Sequence, residues 1–346
     1  MALRSEEIVD RGLVPPERMD ELRRVAERFS VALTDDVAAL IDPADPNDPI
    51  AAQFVPSALE LVDAPEDQVD PIGDERWSPL PGIVHRYPDR VLLKPILVCP
   101  VYCRFCFRRE QVGKDDGVLS PEALAHAFGY IRRHPEIWEV IITGGDPFLL
   151  SPRRIAAIVK TLTAIDHVQV IRFHSRVPVV DPHRVGPALV KALAAEKAVY
   201  VVIHANHPRE LTEEVRTAIG RLTAAGIPVL SQSVLLRGVN DDATVLEALF
   251  RKLVAMRVKP YYLHHPDLVP GTARFRGGIG EGQALMRELR RRASGLCQPT
   301  YVLDIPGGHG KVPIGPTWLH PADGDGWVVE DAGGACHCYP LSAKPD

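Results

Sequence analysis

The stretch Val91-Leu-Leu-Lys-Pro-Ile-Leu-Val98 is an apolar run of strand length that opens a regular alternation along the chain. Amphipathic segments separate it from later runs, and several begin with helix-start signals such as Ser120-Pro121-Glu122. Such alternation predicts right-handed βαβ units and a parallel sheet. The predicted strands cover 91–98, 139–143, 168–173, 199–204, 228–235, 259–264 and a short 301–304, and the predicted helices cover 121–133, 152–164, 183–195, 211–224, 243–255 and 281–293.

Six strand–helix units predict an α/β fold of the partial (β/α)6 barrel type, with a doubly wound open sheet as the alternative. In both folds ligands bind at the carboxyl ends of the strands. Polar and glycine residues lie at or just after several predicted strand ends: Gly144-Gly145-Asp146, His204, Gln232 and Asp267. We therefore expect these residues to meet on one face.

Composition limits the function classes. The 346 residues carry a formal net charge of -5, which predicts no nucleic-acid partner. No run approaches the roughly 18 apolar residues that span a bilayer, so no membrane association is expected. The first residues turn acidic at once and form no apolar segment, so we expect a cytoplasmic protein. Its six cysteines then favour metal binding or chemistry over disulfides.

Three regions are predicted along the chain. Residues 1–75 read as helical pieces followed by Pro- and Asp-rich irregular backbone, which predicts an N-terminal extension that covers another part of the protein. Residues 76–310 contain the barrel, and residues 311–346 form a C-terminal segment and tail.

The segment Cys99-Pro-Val-Tyr-Cys103-Arg-Phe-Cys106 places three cysteines on the loop after the first predicted strand of the barrel. Three thiolates can bind three corners of a 4Fe–4S cluster and leave one iron open to an amine and a carboxylate of a ligand. A structural zinc site needs four ligands, commonly two separated C-x2-C pairs, and no second pair follows nearby. The spacing favours the open cluster over zinc and over incidental buried cysteines.

The segment Leu303-Asp-Ile-Pro-Gly-Gly-His-Gly-Lys311 ends a glycine-rich loop with a lysine. Glycines allow close approach to a flat ligand, and a lysine beyond them is a candidate Schiff-base former. The spacing is not that of a nucleotide-binding P-loop. Upstream, Arg86 and Arg90 flank Tyr87 and could clamp a phosphate, although a surface ion-pair segment has the same composition.

These segments resemble known sequences. The cysteine spacing is similar to that of the radical S-adenosylmethionine superfamily, and Gly144-Gly145-Asp146 resembles the loop that holds the methionyl amine there. From about Trp77 to Trp318 the chain resembles the lysine 2,3-aminomutase family. The motifs that carry this resemblance follow in family order: HRYPDR, CPVYCRFCFRR, ITGGDP, SRVPVV, HANHP, QSVLLRGVND, PYYLHHPDL and LDIPGGHGK.

The resemblance implies a partial (β/α)6 barrel and three cofactors: a 4Fe–4S cluster, S-adenosylmethionine and pyridoxal 5′-phosphate. It implies an isomerase that takes an amino acid as substrate, uses an external one-electron reductant and forms a homo-oligomer. The implied metal ligands are Cys99, Cys103 and Cys106; the pyridoxal lysine is Lys311, with Arg86 and Arg90 at the pyridoxal site; and the residues around S-adenosylmethionine are Arg108, Gly144, Gly145, Asp146, His204 and Gln232.

The resemblance also implies the substrate. In the family two acidic residues grip the side-chain ammonium of lysine, and they match Asp267 and Asp304. Paired carboxylates select a cation over a glutamate side chain. The expected activity is therefore interconversion of L-lysine and β-lysine. The alternatives are an enzyme that makes β-lysine for elongation factor P, a 2,3-aminomutase of arginine or ornithine, and a non-catalytic iron–sulfur module for sensing or electron transfer.

The C-terminal tail departs from the clostridial type, in which further cysteines help to bind an intersubunit zinc. Here the tail has Cys336-His337-Cys338, and the loop after Asn240 has Asp241-Asp242 where that type places its remaining thiol. Two thiols and a histidine do not complete a tetrahedral set, so we expect no zinc of that type.

Overall fold

The computed structural model describes residues 3–114, 117–322 and 326–340. Its principal feature is a sheet of nine strands hydrogen-bonded in chain order. The strands from the second to the eighth run parallel, and the first and ninth are antiparallel edges. They are β1 (Ile83–Tyr87), β2 (Arg90–Ile96), β3 (Glu139–Gly144), β4 (Val170–Ser175), β5 (Ala198–His204), β6 (Val229–Val234), β7 (Val258–His264), β8 (Thr300–Asp304) and β9 (Lys311–Pro313).

Helices form the N-terminal extension and most connections between the parallel strands. Several begin at side-chain caps; Ser120, for example, accepts from the Ala123 amide at 3.1 Å. They are α1 (Ser5–Asp10), α2 (Met19–Arg28), α3 (Asp35–Ala38), α4 (Pro49–Phe54), α5 (Pro121–Arg133), α6 (Pro152–Thr163), α7 (Val177–Val180), α8 (Pro187–Ala192), α9 (Glu213–Ala224), α10 (Ala243–Ala255) and α11 (Ile279–Arg292). None of the described helices is long and apolar enough to cross a membrane.

The strand order decides between the two predicted folds. A doubly wound sheet reverses its order part-way, whereas here each parallel strand pairs with the next one along the chain. Right-handed crossovers in that order place the helices on one face, and the sheet curls around the other. The partial barrel is confirmed.

Both antiparallel edges lie outside the predicted strands. The segment around Arg86 was expected to precede the first strand, but it forms β1, which pairs with β2 through a tight turn at Pro88 and Asp89. Lys311 begins β9 and pairs with Asp304 of β8, so the glycine-rich loop is a connection within the main sheet.

The N-terminal extension shares the main hydrophobic core. Leu3, Leu22 and Phe54 are at most 1% exposed and belong to the same apolar cluster as the barrel strands. The extension also contacts the cysteine loop: the Tyr102 amide donates to Ala32 O at 3.2 Å, and the Arg104 amide donates to Gln53 O at 2.8 Å. The extension therefore covers the loop.

The tail forms a separate antiparallel sheet of three strands: β10 (Leu319–Pro321), β11 (Trp327–Glu330) and β12 (Cys336–Tyr339). Cys336 and Cys338 are exposed on β12, and His337 Nε2 lies 2.8 Å from Asp331 Oδ2.

Candidate functional site

A cavity of about 590 Å³ runs along the inside of the curled sheet. It begins at the cysteine loop and reaches Lys311 on the ninth strand. Ten of the predicted site residues line it: Arg86, Arg90, Cys103, Cys106, Arg108, His204, Gln232, Asp267, Asp304 and Lys311. Cys99, Gly144, Gly145 and Asp146 are not among its lining residues.

The cysteine loop follows β2 and turns tightly, with the Cys106 amide donating to Cys103 O at 3.1 Å. Desolvation is the main cause that raises the pKa of all three thiols, and the pKa of Cys103 reaches about 11. The negative charges of Asp146 and of the other thiols also raise the pKa of Cys99. Among the described residues, no three His, Cys, Asp or Glu side chains converge on one ion. A 4Fe–4S cluster does not need such convergence, because each thiolate binds a separate iron. The donor set fits that cluster.

A buried ion-pair group holds the cysteine loop against the extension. Glu60 is fully buried and contacts Arg104 Nη2 at 2.5 Å, Arg109, and Arg274 Nη2 at 3.7 Å. Burial alone would raise the pKa of the Glu60 carboxyl, but the arginine charges hold it below its usual range. Arg104 lies between two cysteines, so this group, which we call the Glu60 cluster (Glu60, Arg104, Arg109 and Arg274), fixes the loop that they share.

The two glycines after β3 lie against the backbone that leads into the cysteine loop. The Gly145 amide donates to Ile96 O at 2.7 Å. A Cβ at Gly144 would meet Ile96 O at 2.6 Å, and one at Gly145 would meet Val98 O at 2.4 Å. Gly144 also has φ +107°, which disfavours any side chain.

Asp146 faces away from the cavity. Its carboxylate accepts from Ser175 Oγ at 2.7 Å and from three backbone amides, those of Phe148, Arg176 and Val177, at 2.7–3.0 Å. Burial raises the pKa of this carboxyl despite these bonds. The side chain joins the loops after β3 and β4, so a ligand contact of this loop would have to use backbone groups.

Three further predicted residues surround the cysteine end of the cavity. Arg108 Nε donates to Asp74 Oδ2 at 2.8 Å. His204 and Gln232 are register partners on β5 and β6, and the His204 ring lies 5.6 Å from that of Phe105. Burial and the charge of Arg176 hold the pKa of His204 well below its usual range, so the ring is neutral at pH 7.

At the other end of the cavity, Lys311 Nζ forms an ion pair with Asp304 and lies 3.2 Å from His264 Nδ1. Asp304 also lies 3.5 Å from Arg86 Nη2. Burial would raise the pKa of the Asp304 carboxyl, but His264 and the Lys311 charge hold it far below its usual range. Lys311 and Asp304 therefore form an ion pair at this end of the cavity.

Both predicted arginines lie close to the Tyr87 ring. The Arg90 guanidinium is 3.7 Å from the ring centroid and that of Arg86 is 5.2 Å away. The Tyr87 hydroxyl accepts from the Lys311 amide at 2.7 Å, which ties β1 to the start of β9. Arg86 Nε is buried without a partner among the described residues, as are His174 Nε2 and His264 Nε2. Unsatisfied donors in this wall fit a polar ligand such as pyridoxal phosphate.

Asp267 differs from the other carboxylates that line the cavity. Asp74, Asp89, Glu139 and Asp304 each have an ion-pair partner, whereas Asp267 has none within 4.0 Å in the described parts of the chain. Burial and the neighbouring Asp304 raise the pKa of Asp267 to about 7. This carboxylate is available to a cation from outside the protein.

Sequence reasoning assigned no role to several lining residues: Glu139, Arg172, His174, Tyr261, Tyr262 and His264. Tyr262 and His264 belong to the motif PYYLHHPDL, and their alternation along β7 puts both side chains on one face. This alternation is the sequence signal that could have placed Tyr262 and His264 in the site. The contact of His264 with Lys311 was not available, because 46 residues separate them in the chain.

The radical SAM superfamily model matches residues 93–249. The chain is 40% identical to an L-lysine 2,3-aminomutase of Clostridium subterminale over 95% of this chain and 80% of that protein. It is 43% identical to an L-lysine 2,3-aminomutase of Acetoanaerobium sticklandii over 88% and 73% of the two chains. The chain belongs to the lysine 2,3-aminomutase family. As a member of this family it is an isomerase of the radical S-adenosylmethionine type, whose cofactors include a 4Fe–4S cluster and S-adenosylmethionine.

The family names do not by themselves choose the substrate. A glutamate 2,3-aminomutase of Clostridioides difficile is 37% identical over 86% of this chain and 70% of that protein.

Among solved structures, a radical SAM methyltransferase from Sphaerobacter thermophilus is similar at a TM-score of 0.47 and 19% identity, over 64% of this chain and 68% of that chain.

Proposed function

We propose that this member of the lysine 2,3-aminomutase family interconverts L-lysine and β-lysine. The observation that carries the proposal is the unpaired Asp267 in the same cavity as Lys311 and the cysteine loop. A partly buried carboxylate without a partner is costly, and a substrate ammonium would relieve that cost. A glutamate side chain would add a third carboxylate beside Asp267 and Asp304, so lysine is favoured over glutamate.

The proposed cofactor sites lie at opposite ends of the cavity. When bound, the reduced cluster supplies the electron that cleaves S-adenosylmethionine to a radical, and pyridoxal phosphate supplies the carbonyl that holds the migrating nitrogen. Cys99, Cys103 and Cys106 would hold the cluster, and His204, Gln232 and Arg108, which line the cavity, would bind S-adenosylmethionine. Arg86 and Arg90 would bind the phosphate, and Lys311 would bind the carbonyl.

The protein groups position the substrate and exclude water. Lys311 neutralises Asp304 in the ligand-free cavity. When the Lys311 nitrogen is engaged elsewhere, Asp304 loses this cation and becomes available, with Asp267, to the side-chain ammonium of the substrate. In this way, engagement of Lys311 by a ligand would make both acidic groups available to a basic amino acid.

Turnover by the anaerobically reconstituted protein tests this function. With reductant, S-adenosylmethionine and pyridoxal phosphate, wild-type protein should convert L-lysine to β-lysine, and Lys311→Ala should lose both turnover and the pyridoxal absorbance band. Arginine, ornithine and glutamate serve as competing substrates in the same assay. Turnover of one of these with inertness to lysine would overturn the substrate assignment, and a Lys311→Ala protein that keeps its pyridoxal band would overturn the role of the lysine.

A further inference from the structure

His264 lies between the two charged groups at the lysine end of the cavity. Its Nδ1 is 3.2 Å from Lys311 Nζ and 3.7 Å from Asp304 Oδ2. Its Nε2 is buried and has no partner among the described residues. Because Lys311 is an ammonium that can only donate, a neutral ring accepts at Nδ1 and carries its proton on Nε2.

Lys311 needs a base before it can react with a carbonyl, because an ammonium has no free electron pair. Two groups contact its Nζ. Asp304 is a poor base, since its surroundings hold its pKa far below the usual range. His264 is neutral at pH 7, because burial and the Lys311 charge lower the pKa of its ring. A neutral imidazole at hydrogen-bond distance is the better acceptor of the two.

We propose that His264 is the proton acceptor that converts the Lys311 ammonium into the reactive amine, an inference that rests on the proposed role of Lys311. The proton moves from Nζ to Nδ1, the electron pair of the broken N–H bond stays on the lysine nitrogen, and the imidazole becomes imidazolium. Lys311, Asp304 and His264 together keep the same net charge. The Asp304 carboxylate remains beside the positive charge throughout, which lowers the electrostatic free energy needed to move that charge from Lys311 to His264.

Other titratable groups face His264 without replacing it. From β4, burial and neighbouring positive charge, that of Lys311 included, hold the pKa of His174 well below its usual range, so its ring is neutral. Its Nε2 has no hydrogen-bond partner among the described residues, so it does not bond to the lysine. On β7 itself the Tyr262 ring lies 5.6 Å from that of His264, and its pKa is raised by burial. Asp267 follows the same strand and contributes a carboxyl whose pKa is about 7.

The test measures capture of pyridoxal phosphate by the full-length chain, before cluster reconstitution. Samples are reduced with borohydride at timed intervals, and the adduct on the Lys311 peptide is quantified by mass spectrometry across a range of pH. His264→Asn keeps a polar atom near the Nδ1 position but cannot take the proton, and His264→Gln provides a second variant. His265→Asn is the matched control, because His265 bonds to the Tyr301 hydroxyl at 2.8 Å outside the cavity.

At pH 7 we expect capture to slow about 100-fold in His264→Asn and His264→Gln, within the usual range for loss of a general base. The deficit should shrink as the pH rises toward that at which solvent deprotonates lysine, and added imidazole should restore capture in His264→Ala. The His265→Asn protein should capture at the wild-type rate.

Two results would overturn the inference, and a third would overturn the proposed function on which it rests. If the His264 variants capture pyridoxal phosphate with the wild-type rate and pH profile, His264 is not the proton acceptor. The proposed role of Lys311 would be unaffected by that result. A deficit that disappears at saturating pyridoxal phosphate would make His264 a binding residue. Wild-type protein that forms no adduct on Lys311 would instead overturn the proposed function, so the two failures are distinguishable.

Discussion

The cysteine end and the lysine end of the cavity differ in how completely their carboxylates are paired. At the cysteine end the Glu60 carboxylate meets three arginines, and the Asp146 carboxylate accepts four hydrogen bonds. At the lysine end, Asp304 is paired with Lys311, but Asp267 has no ion pair in the described parts of the chain.

This difference matches what each end has to do. Buried polar groups are normally hydrogen-bonded, so an unpaired group either costs stability or awaits a ligand. The cysteine loop has to present three thiolates at fixed positions, and internal pairing provides rigidity there. At the lysine end, the substrate amine has to take the place of the Lys311 amine. If every group there were paired within the protein, that pairing would compete with the exchange.

The largest expected effect comes from breaking the cysteine end. Glu60→Gln leaves Arg104 and Arg109 buried without a countercharge, and loss of one partner of a buried ion pair typically costs about 3–5 kcal/mol. We expect this loss in the free energy of unfolding, measured by urea denaturation, together with lower iron content after reconstitution.

Glu213→Gln is the control for that experiment, because Glu213 forms an exposed ion pair with Arg216 at 3.1 Å on α9. Surface pairs contribute little, so its denaturation midpoint should equal that of wild type. A Glu60→Gln protein with wild-type stability and iron content would show that the buried pairing does not hold the loop.

A smaller effect is expected from Asp267→Asn at the lysine end. Hydrogen bonds to charged groups are worth about 1.5–3 kcal/mol, so lysine binding should weaken roughly ten- to hundredfold in calorimetric titrations. The pKa of Asp267 is about 7, and only the ionised form pairs with an ammonium. Wild-type affinity for lysine should therefore rise as the pH increases through about 7, and this rise should be absent in the variant.

Asp20→Asn provides the comparison, since the Asp20 side chain is 94% exposed and far in sequence from the cavity residues. It should bind lysine with wild-type affinity and pH dependence. If Asp267→Asn behaves in the same way, Asp267 does not recognise the substrate.

The smallest expected effect comes from Tyr87→Phe, which removes the hydroxyl that accepts from the Lys311 amide. Loss of one such hydrogen bond should lower the free energy of unfolding by about 0.5–1.5 kcal/mol in urea denaturation. Tyr339→Phe, at an exposed position in the tail, should leave stability unchanged. Equal stability of the two variants would mean that Tyr87 does not anchor the start of β9.

The parallel strands were predictable because their apolar runs are local signals. The run at 139–143 corresponds to β3 (Glu139–Gly144), and the run at 199–204 corresponds to β5 (Ala198–His204). The edge strands β1 and β9 were missed because they are short, partly exposed and rich in charged and glycine neighbours. Such segments become strands only when a neighbouring strand supplies hydrogen bonds.

The site residues also divide into those that the sequence could predict and those that it could not. Cys103, Lys311 and Asp267 could be selected from residue type, spacing and family resemblance, and all three line the cavity. The role of Asp146 in joining the loops after β3 and β4 could not be predicted, because an aspartate after two glycines has the same sequence whether it faces a ligand or bonds to the protein's own backbone. Its partners Ser175 and Arg176 come from the next strand and its loop.

The amino-acid sequence by itself determined the strand–helix alternation, the cysteine spacing and the lysine after the glycine loop, because these depend on residues close together in the chain. Only the tertiary structure decided that Asp267 has no ion pair among the described residues, that Glu60 holds the cysteine loop and that His264 contacts Lys311. Those properties depend on burial and on charges brought together from distant segments, and the free energy of a buried charge is set by its neighbours in space.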